Sequence, residues 1–249
     1  MCSIKKNRFG LLGKNISYSF SKGYFTKKFS AMGFNDHTYE NFDLQDISQF
    51  KSVLENNPHL KGMNVTIPYK EAVIPYLDEL DSQAEQIGAV NTIQFTDAGL
   101  KGYNTDAFGF KNAILPYLKP YHTQALILGT GGASKAVAFV LDELGVSYTF
   151  VSRNPLKNQI GYSDLREHII REFLVLINCT PLGTFPNIEE SPDIPYRFII
   201  KKHVLFDLIY NPEKTEFLMK GEAQGASISN GLRMLELQAE RSWEIWNDS

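Results

Sequence analysis

Between Gln124 and Ala136 the chain reads QALILGTGGASKA, and this stretch limits the possible folds more than any other. Ala125-Leu126-Ile127-Leu128 is an apolar run of strand length that stops at Gly129-Thr130-Gly131-Gly132. Beyond it, Ala133, Ala136, Val137, Val140 and Leu141 recur at helical spacing. The pattern predicts strand, glycine turn, helix. Such a junction leaves unpaired backbone N–H groups at the helix N-terminus, and its glycines remove the side chains that would hold a pyrophosphate away, so it suits a dinucleotide. A second apolar run, Tyr148-Thr149-Phe150-Val151, follows at the spacing of a βαβ unit. Ser134 stands where the third glycine of G-x-G-x-x-G falls, and it is small enough to serve there. A glycine turn alone is equally compatible with a structural role; the βαβ context favours the nucleotide.

The first half alternates strand and helix signals. Phe9 to Leu12 reads as a strand, and Tyr24, Phe25, Phe29 and Met32 form one side of a helix closed by Gly33. His37 to Phe42 reads as a strand, Asp46 to Leu54 as a helix with Asp46 near its N-cap, and Leu60 to Val65 as a strand. This alternation implies a parallel sheet. Pro68 ends the third strand, which leaves Thr66 and Lys70 at its carboxyl end, the edge where open α/β sheets bind ligands. A further strand at Gly88 to Ile93, a turn at Asp97-Ala98-Gly99 and a return through Leu100 to Asn104 lead to Thr105 and Asp106, which open a helix. Taken singly, Lys70 reads as a solvated charge and Asp106 as an ordinary first-turn acid. Ser19 and Ser21, in the turn after Gly13, admit two readings: Ser21 caps the helix that follows, or the pair holds a carboxylate.

Composition removes several classes of function. The 249 residues carry a net charge of −3 with both signs interspersed, which offers no electrostatic footprint for nucleic acid. Lys5, Lys6 and Arg8 precede too short an apolar run for a signal peptide, and no stretch of eighteen apolar residues could span a membrane. Cys2 and Cys179 lack metal-ligand spacing, and Cys179 is expected to fill a core. None of the five histidines forms an H-E-x-x-H pattern, so no protein-held metal is expected. The expectation is a soluble cytoplasmic protein acting on a small molecule.

Seven segments, taken together, resemble the shikimate dehydrogenase family. They are SYSFS (17–21), NVTIPYK (64–70), GAVNT (88–92), GYNTDAFG (102–109), GTGGAS (129–134), NCTPLG (178–183) and GLRMLELQA (231–239), and the similarity runs from about Gly10 to Gln238. The resemblance implies an α/β fold of two domains with mostly parallel sheets. A substrate domain would span 1–105, completed by a C-terminal helix at 231–249, and a Rossmann-like NADP-binding domain would span 106–230. It also implies an NADP-linked, reversible reduction of 3-dehydroshikimate to shikimate in aromatic amino acid biosynthesis, by a monomer or homodimer.

By the same resemblance Lys70 and Asp106 are the catalytic pair. Hydride arriving at a carbonyl carbon leaves negative charge on oxygen, which a nearby ammonium can stabilise and protonate. Ser19 and Ser21 would hold the substrate carboxylate; Thr66, Asn91, Asp106 and Gln238 the ring hydroxyls; Tyr210 would lie on the substrate side. The cofactor would lie against Gly129, Gly131, Gly132, Ala133, Ser152, Arg153, Asn154, Lys157, Thr180, Leu208 and Gly231. Where NAD-preferring folds carry an acid for the ribose 2′-OH, this chain has Arg153 and Lys157, which suit a 2′-phosphate. Two positions depart from the family pattern: Tyr18 replaces a usual histidine and Lys22 a usual proline, which puts the rigidity of the serine loop in question. Two alternatives stand beside this reading, a quinate/shikimate dehydrogenase using NAD and a catalytically silent sensor of NADP or a pathway metabolite.

Overall fold

A computed structural model describes residues 7–17 and 19–248; Cys2, Lys5, Lys6 and Tyr18 lie outside the described residues. The chain divides into two compact units, Met1–Thr105 with Ala239–Ser249, and Asp106–Gln238. In the first unit β1 (Asn7–Gly13), α1 (Phe20–Ala31), β2 (His37–Asp43), α2 (Phe50–Asn56) and β3 (Leu60–Val65) follow the expected alternation. They are followed by β4 (Glu79–Leu80), α3 (Ser82–Ile87), β5 (Thr92–Thr96) and β6 (Gly99–Tyr103). The sheet order is β2-β1-β3-β5-β6-β4. β1 runs parallel to β2 and β3, whereas β5 runs antiparallel to both β3 and β6.

The reversal has a local cause. β5 and β6 are joined by a tight turn in which the Thr96 hydroxyl accepts from Ala98 N–H (3.2 Å) and donates to the Gly99 carbonyl (2.9 Å), with Gly99 at φ 125°. A connection this short can only return the chain antiparallel. The parallel sheet expected from alternation is thus interrupted by one hairpin. The α3 segment escaped the pattern because it is six residues long, although Asp81 caps it and Gly88, at φ 68°, closes it.

In the second unit α4 (Thr105–Ile114) leads to β7 (Gln124–Leu128), α5 (Gly132–Glu143), β8 (Ser147–Ser152), β9 (Gln159–Gly161) and α6 (Glu167–Glu172). β10 (Val175–Asn178), β11 (Val204–Asp207), α7 (Glu216–Ala223) and β12 (Ser227–Ser229) follow, and α8 (Leu232–Asn247) begins in this unit and ends in the first, which takes in Ala239–Ser249. The sheet order is β12-β11-β10-β7-β8-β9, and every pairing is parallel. The chain winds outward from β7 in one direction through β8 and β9, then returns to build β10, β11 and β12 on its other side. The winding therefore reverses between β7 and β10, which places the ligand crevice of such sheets at their carboxyl ends. β9 and α6 were not legible in sequence: β9 has three residues with Ile160 as its one large apolar side chain, and α6 has six.

Period-two alternation sets the core of the first unit. Phe9 and Leu11 of β1 enter a cluster with Phe25, Phe29, Tyr39, Trp243 and Trp246, whereas Leu12 points into another with Phe50, Met63, Val65, Val90 and Ile93. Trp246 of α8 lies directly over Gly62 of β3, occupying the space of an absent Cβ, and its indole N–H donates to the Ile93 carbonyl (3.0 Å). Substituting Gly62→Ala would displace that ring and is expected to cost about 1–3 kcal/mol, as overpacked cores do. Denaturant unfolding of the intact chain measures this; an unchanged midpoint would mean that the indole does not pack there.

Candidate active site

In the first unit the candidate substrate residues gather at the carboxyl ends of β1 and β3. The loop after β1 is held by side chains of β2: Asp43 accepts from the N–H groups of Asn15 (2.9 Å) and Ile16 (3.3 Å), and the Asn41 amide donates to the Ile16 carbonyl (2.8 Å). Ser19 ends this loop and caps α1, its hydroxyl oxygen accepting from Ser21 N–H (3.2 Å). This corrects one of the two sequence readings, in which Ser21 caps the helix, and the placing of both serines in the turn. Ser21 is inside the first helical turn and buried, because a cap must have extended backbone and Ser19 has it (φ −63°, ψ 133°).

β3 ends where expected, and Thr66 N–H then donates to the Leu12 carbonyl (2.8 Å). The Tyr69 hydroxyl donates to the Leu44 carbonyl (2.7 Å), and the Lys70 carbonyl accepts from Val90 N–H (2.8 Å), fixing the backbone of Lys70 beside the segment that carries Asn91.

Beneath these residues lies a polar network that sequence reasoning missed. The Asn64 amide nitrogen faces the Asn91 carbonyl (3.3 Å), Thr92 Oγ1 (3.1 Å) and Ser242 Oγ (2.9 Å), while its oxygen accepts from the Tyr39 hydroxyl (2.8 Å). Asn91 Oδ1 accepts from Thr105 N–H (2.7 Å), and Asn91 Nδ2 donates to Thr105 Oγ1 (3.0 Å). Asn64, Asn91, Thr92, Thr105 and Ser242 are all buried. The Ser21 hydroxyl bonds to Tyr39, whose phenol is pushed far above its ordinary range by burial and is therefore a neutral donor. The network thus runs from Ser21 to Asn91 and the first residue of α4. Asn91, expected to bind a ring hydroxyl, also holds the start of the helix that carries Asp106. The one sequence signal was the presence of Asn64 and Thr92 beside the apolar residues Met63, Val65 and Ile93.

In the second unit Gly129 directly follows β7 at φ 99°, with Thr180 and Cys179 packed where its side chain would project. Gly131 is the N-cap of α5, has no side-chain cap, and has open space in place of a Cβ. Gly132 and Ala133 begin the helix, so their N–H groups belong to its unsatisfied first turn. Ser134 is 1% exposed, and its hydroxyl donates back to the Gly131 carbonyl (2.6 Å), which is how a serine fits the third glycine position. At the end of β8 the Ser152 hydroxyl accepts from Asn154 N–H (3.2 Å), and Arg153, Asn154 and Lys157 are exposed in the turn that follows. These residues fit a dinucleotide: an open glycine cradle at the reversal point, with basic side chains at the neighbouring strand end.

The ends of β10 and β11 are joined by another unanticipated cluster. Asn178 and Asp207 are register partners. Asp207 is fully buried and accepts from Asn178 Nδ2 (3.0 Å), Ile209 N–H (3.0 Å) and Thr215 Oγ1 (2.6 Å). Asn178 Oδ1 in turn accepts from Thr180 N–H (3.0 Å) and Thr180 Oγ1 (2.7 Å). Leu208 N–H donates to the Asn178 carbonyl (3.0 Å), and Gly231 N–H to the Ile209 carbonyl (2.9 Å). Gly231 is packed against the Leu208 backbone, where a side chain could not fit. Tyr210 follows two residues after Leu208, half-buried. On α4, Asp106 is buried one turn before Gly109, against which Gln238 and the Met234 carbonyl of α8 pack. Burial pushes the Asp207 carboxyl up to about 6 against the three hydrogen bonds that favour its charge. Burial, reinforced by Asp207, likewise raises the Cys179 thiol, which stays protonated; Cys179, expected to fill a core, is only half-buried.

A doubly wound parallel sheet with an open glycine turn at its reversal point defines a dinucleotide-binding α/β protein. Residues 11–93 match the family model described as the shikimate dehydrogenase substrate binding domain, and the chain is 36% identical to the shikimate dehydrogenase (NADP(+)) of Methanosphaera stadtmanae over 95% of its own length and 90% of the relative's. The chain belongs to the shikimate dehydrogenase family. Among solved structures it resembles the Thermus thermophilus shikimate 5-dehydrogenase in complex with NADP(H) and shikimate, with 31% identity, 97% and 94% of the two chains covered, and a TM-score of 0.85. It also resembles the Corynebacterium glutamicum quinate dehydrogenase in complex with NAD, with 26% identity, 98% and 94% coverage and a TM-score of 0.85.

The raised carboxyl of Asp207 makes stability depend on pH. Between the ordinary value of 3.8 and about 6 the folded chain keeps a proton that the unfolded chain has lost. The associated stability is complete below the lower value and is lost as pH rises through the upper one. Relative to an Asp207→Asn variant, the protein is expected to lose on the order of 3 kcal/mol between pH 4 and 7. Urea unfolding of both proteins across that range tests this; a constant difference would show that the carboxyl titrates normally.

Proposed function

We propose that the protein catalyses the NADP-linked, reversible reduction of 3-dehydroshikimate to shikimate, the step expected in aromatic amino acid biosynthesis. The observation that carries this reading is the retention of both Lys70 and Asp106, in NVTIPYK and GYNTDAFG, by a chain whose relatives include a shikimate dehydrogenase solved with NADP(H) and shikimate. Ser19 and Ser21 hold the substrate carboxylate with hydroxyl donors, which suffice where several converge away from water. Thr66, Asn91, Asp106 and Gln238 hold the ring hydroxyls, and Tyr210 closes the substrate side.

The bound cofactor supplies a hydride to the carbonyl carbon. Lys70 donates a proton to the oxygen that this leaves negative, and takes it back when the reaction runs in reverse; Asp106 orients the ammonium. The α5 N-terminus binds the pyrophosphate through the N–H groups of Gly131, Gly132 and Ala133, while Gly129, whose N–H donates to the Val151 carbonyl (2.9 Å), forms the turn that leads into it. Arg153 and Lys157, with Ser152 and Asn154, take the 2′-phosphate, and Thr180, Leu208 and Gly231 line the nicotinamide side.

A second reading, quinate oxidation with NAD, is favoured by the likeness to a quinate dehydrogenase solved with NAD. Against it, the stretch Ser152-Arg153-Asn154-Pro155-Leu156-Lys157 offers no acid to accept from a ribose 2′-OH, and Ser21 stands where quinate-preferring relatives favour threonine.

Nicotinamide absorbance should rise when shikimate is oxidised with NADP+, faster than with quinate and NAD+. Absence of turnover by the purified protein would instead support a metabolite sensor. Lys70→Ala is expected to lower kcat about 10²–10⁴-fold while shikimate binding, read by calorimetry, is largely kept. Arg153→Ala is expected to weaken NADP+ binding about 10–100-fold, with little effect on NAD+; equal losses for both cofactors would remove Arg153 from the 2′-phosphate site.

A further inference from the structure

The carboxyl ends of β7, β10 and β11 lie side by side, with Leu128 paired to Asn178 and Asn178 to Asp207. A fully buried carboxylate ends this row, and its partners among the described residues are neutral donors. Buried carboxylates normally have a cation, because their desolvation is costly. Those donors instead tie Asp207 to three segments: the turn after β10 through Asn178, the Leu208–Tyr210 stretch through Ile209 N–H, and the head of α7 through Thr215.

We propose that Asp207 is a positioning residue for the nicotinamide half of the cofactor, acting through the Asn178 amide on Thr180 and the turn that follows it. The inference rests on the NADP reading. A carboxylate can only accept, so the NH2 end of Asn178 must face Asp207, and its carbonyl end must face Thr180. There it receives both the N–H and the hydroxyl of Thr180, and Thr180 Oγ1 accepts from Leu182 N–H (3.3 Å). The charge, together with the donor-only Thr180 N–H on the other side, thereby fixes the orientation of an amide, a hydroxyl and a turn beside Gly129, whose missing side chain leaves room for Thr180 itself. Protonating Asp207 weakens its hold on Asn178, since hydrogen bonds to an ionised acceptor are roughly twice as strong as neutral ones. The titratable groups facing Asp207 are the Cys179 thiol and the Tyr196 phenol, and Tyr196 in turn feels Tyr162 and Asp193. Burial raises both the thiol and the phenol, so neither changes charge near neutrality.

The test measures NADP+ binding to the intact chain by calorimetry at pH 7.5 and 5.5, for the wild type, Asp207→Asn, Thr180→Val and the double variant. At pH 7.5 each single variant is expected to weaken binding about 10-fold, and the double variant no further, because both break one chain of bonds. At pH 5.5 the gap between wild type and Asp207→Asn should shrink to about 2-fold. The ligand's own 2′-phosphate titrates in this range but affects both proteins alike, so the gap is the readout. Should Asp207→Asn not fold, Thr180→Val carries the test, because it should remove the same part of the wild type's pH dependence. Equal binding by Asp207→Asn and wild type, additive losses in the double variant, or a gap unchanged with pH would each overturn the inference. No binding of NADP+ by the wild type at either pH would overturn the cofactor reading itself, and this inference with it.

Discussion

A side-chain amide in a dry interior has one usable orientation as soon as one of its neighbours can only accept. Both units use this constraint at the ends of their central strands. Asn64 must turn its nitrogen toward the Asn91 carbonyl, which leaves its oxygen for the Tyr39 hydroxyl. Asn178 must turn its nitrogen toward the Asp207 carboxylate, which leaves its oxygen for Thr180. In each case one choice propagates through neighbouring hydroxyls to residues at the carboxyl edge of a sheet. There the regular ladder has ended, and side chains must satisfy the exposed backbone groups.

Such clusters contribute little net stability. A buried hydrogen bond is worth about 1 kcal/mol after desolvation, whereas leaving one partner unpaired costs about 1–3 kcal/mol. The bulk of the folding free energy therefore comes from the apolar clusters, with Phe9, Phe25, Trp243 and Trp246 on one face of the first sheet and Leu126, Leu128, Leu176 and Phe217 in the second unit. What the amides contribute is uniqueness: a partly satisfied network is worse than an apolar one, so only one arrangement of Asn64, Asn91, Thr105 and Ser242 survives. That arrangement determines where α4 begins.

The parts legible in sequence were those encoded by short-range pattern. The strand-glycine-helix junction, β3 and its termination at Val65, and the amphipathic α5 all follow from local periodicity. Elements too short to show a period, β9 and α6 among them, were lost. The polar networks were illegible for another reason. Ser242 reaches Asn64 across 178 residues and Thr215 reaches Asp207 across a loop containing Pro212, so no spacing rule links them. Asn64, Asn91 and Asn178 all lay in segments singled out for their motifs, yet a strand-ending asparagine declares a polar neighbour without saying which one.

The start of the serine loop is held by the strand beside it. The residues that flank the serine pair here, Tyr18 and Lys22, lack the stiffness that proline would lend, and Lys22 is exposed on α1. Rigidity comes instead from the neighbouring strand. Asp43 gathers two backbone N–H groups, Asn41 holds a carbonyl, and Asn15 adopts φ 56°, a left-handed conformation that asparagine tolerates better than most side chains. Ser19 N–H then closes back on the Ile16 carbonyl before the hydroxyl of Ser19 caps α1. Because β2 is paired to β1 along its whole length, from Asn7 and His37 to Gly13 and Asp43, Asp43 cannot shift without breaking the ladder. The backbone of Asn15 and Ile16 is therefore tied to the sheet edge that supports it, and Ser19 is tied to Ile16 in turn.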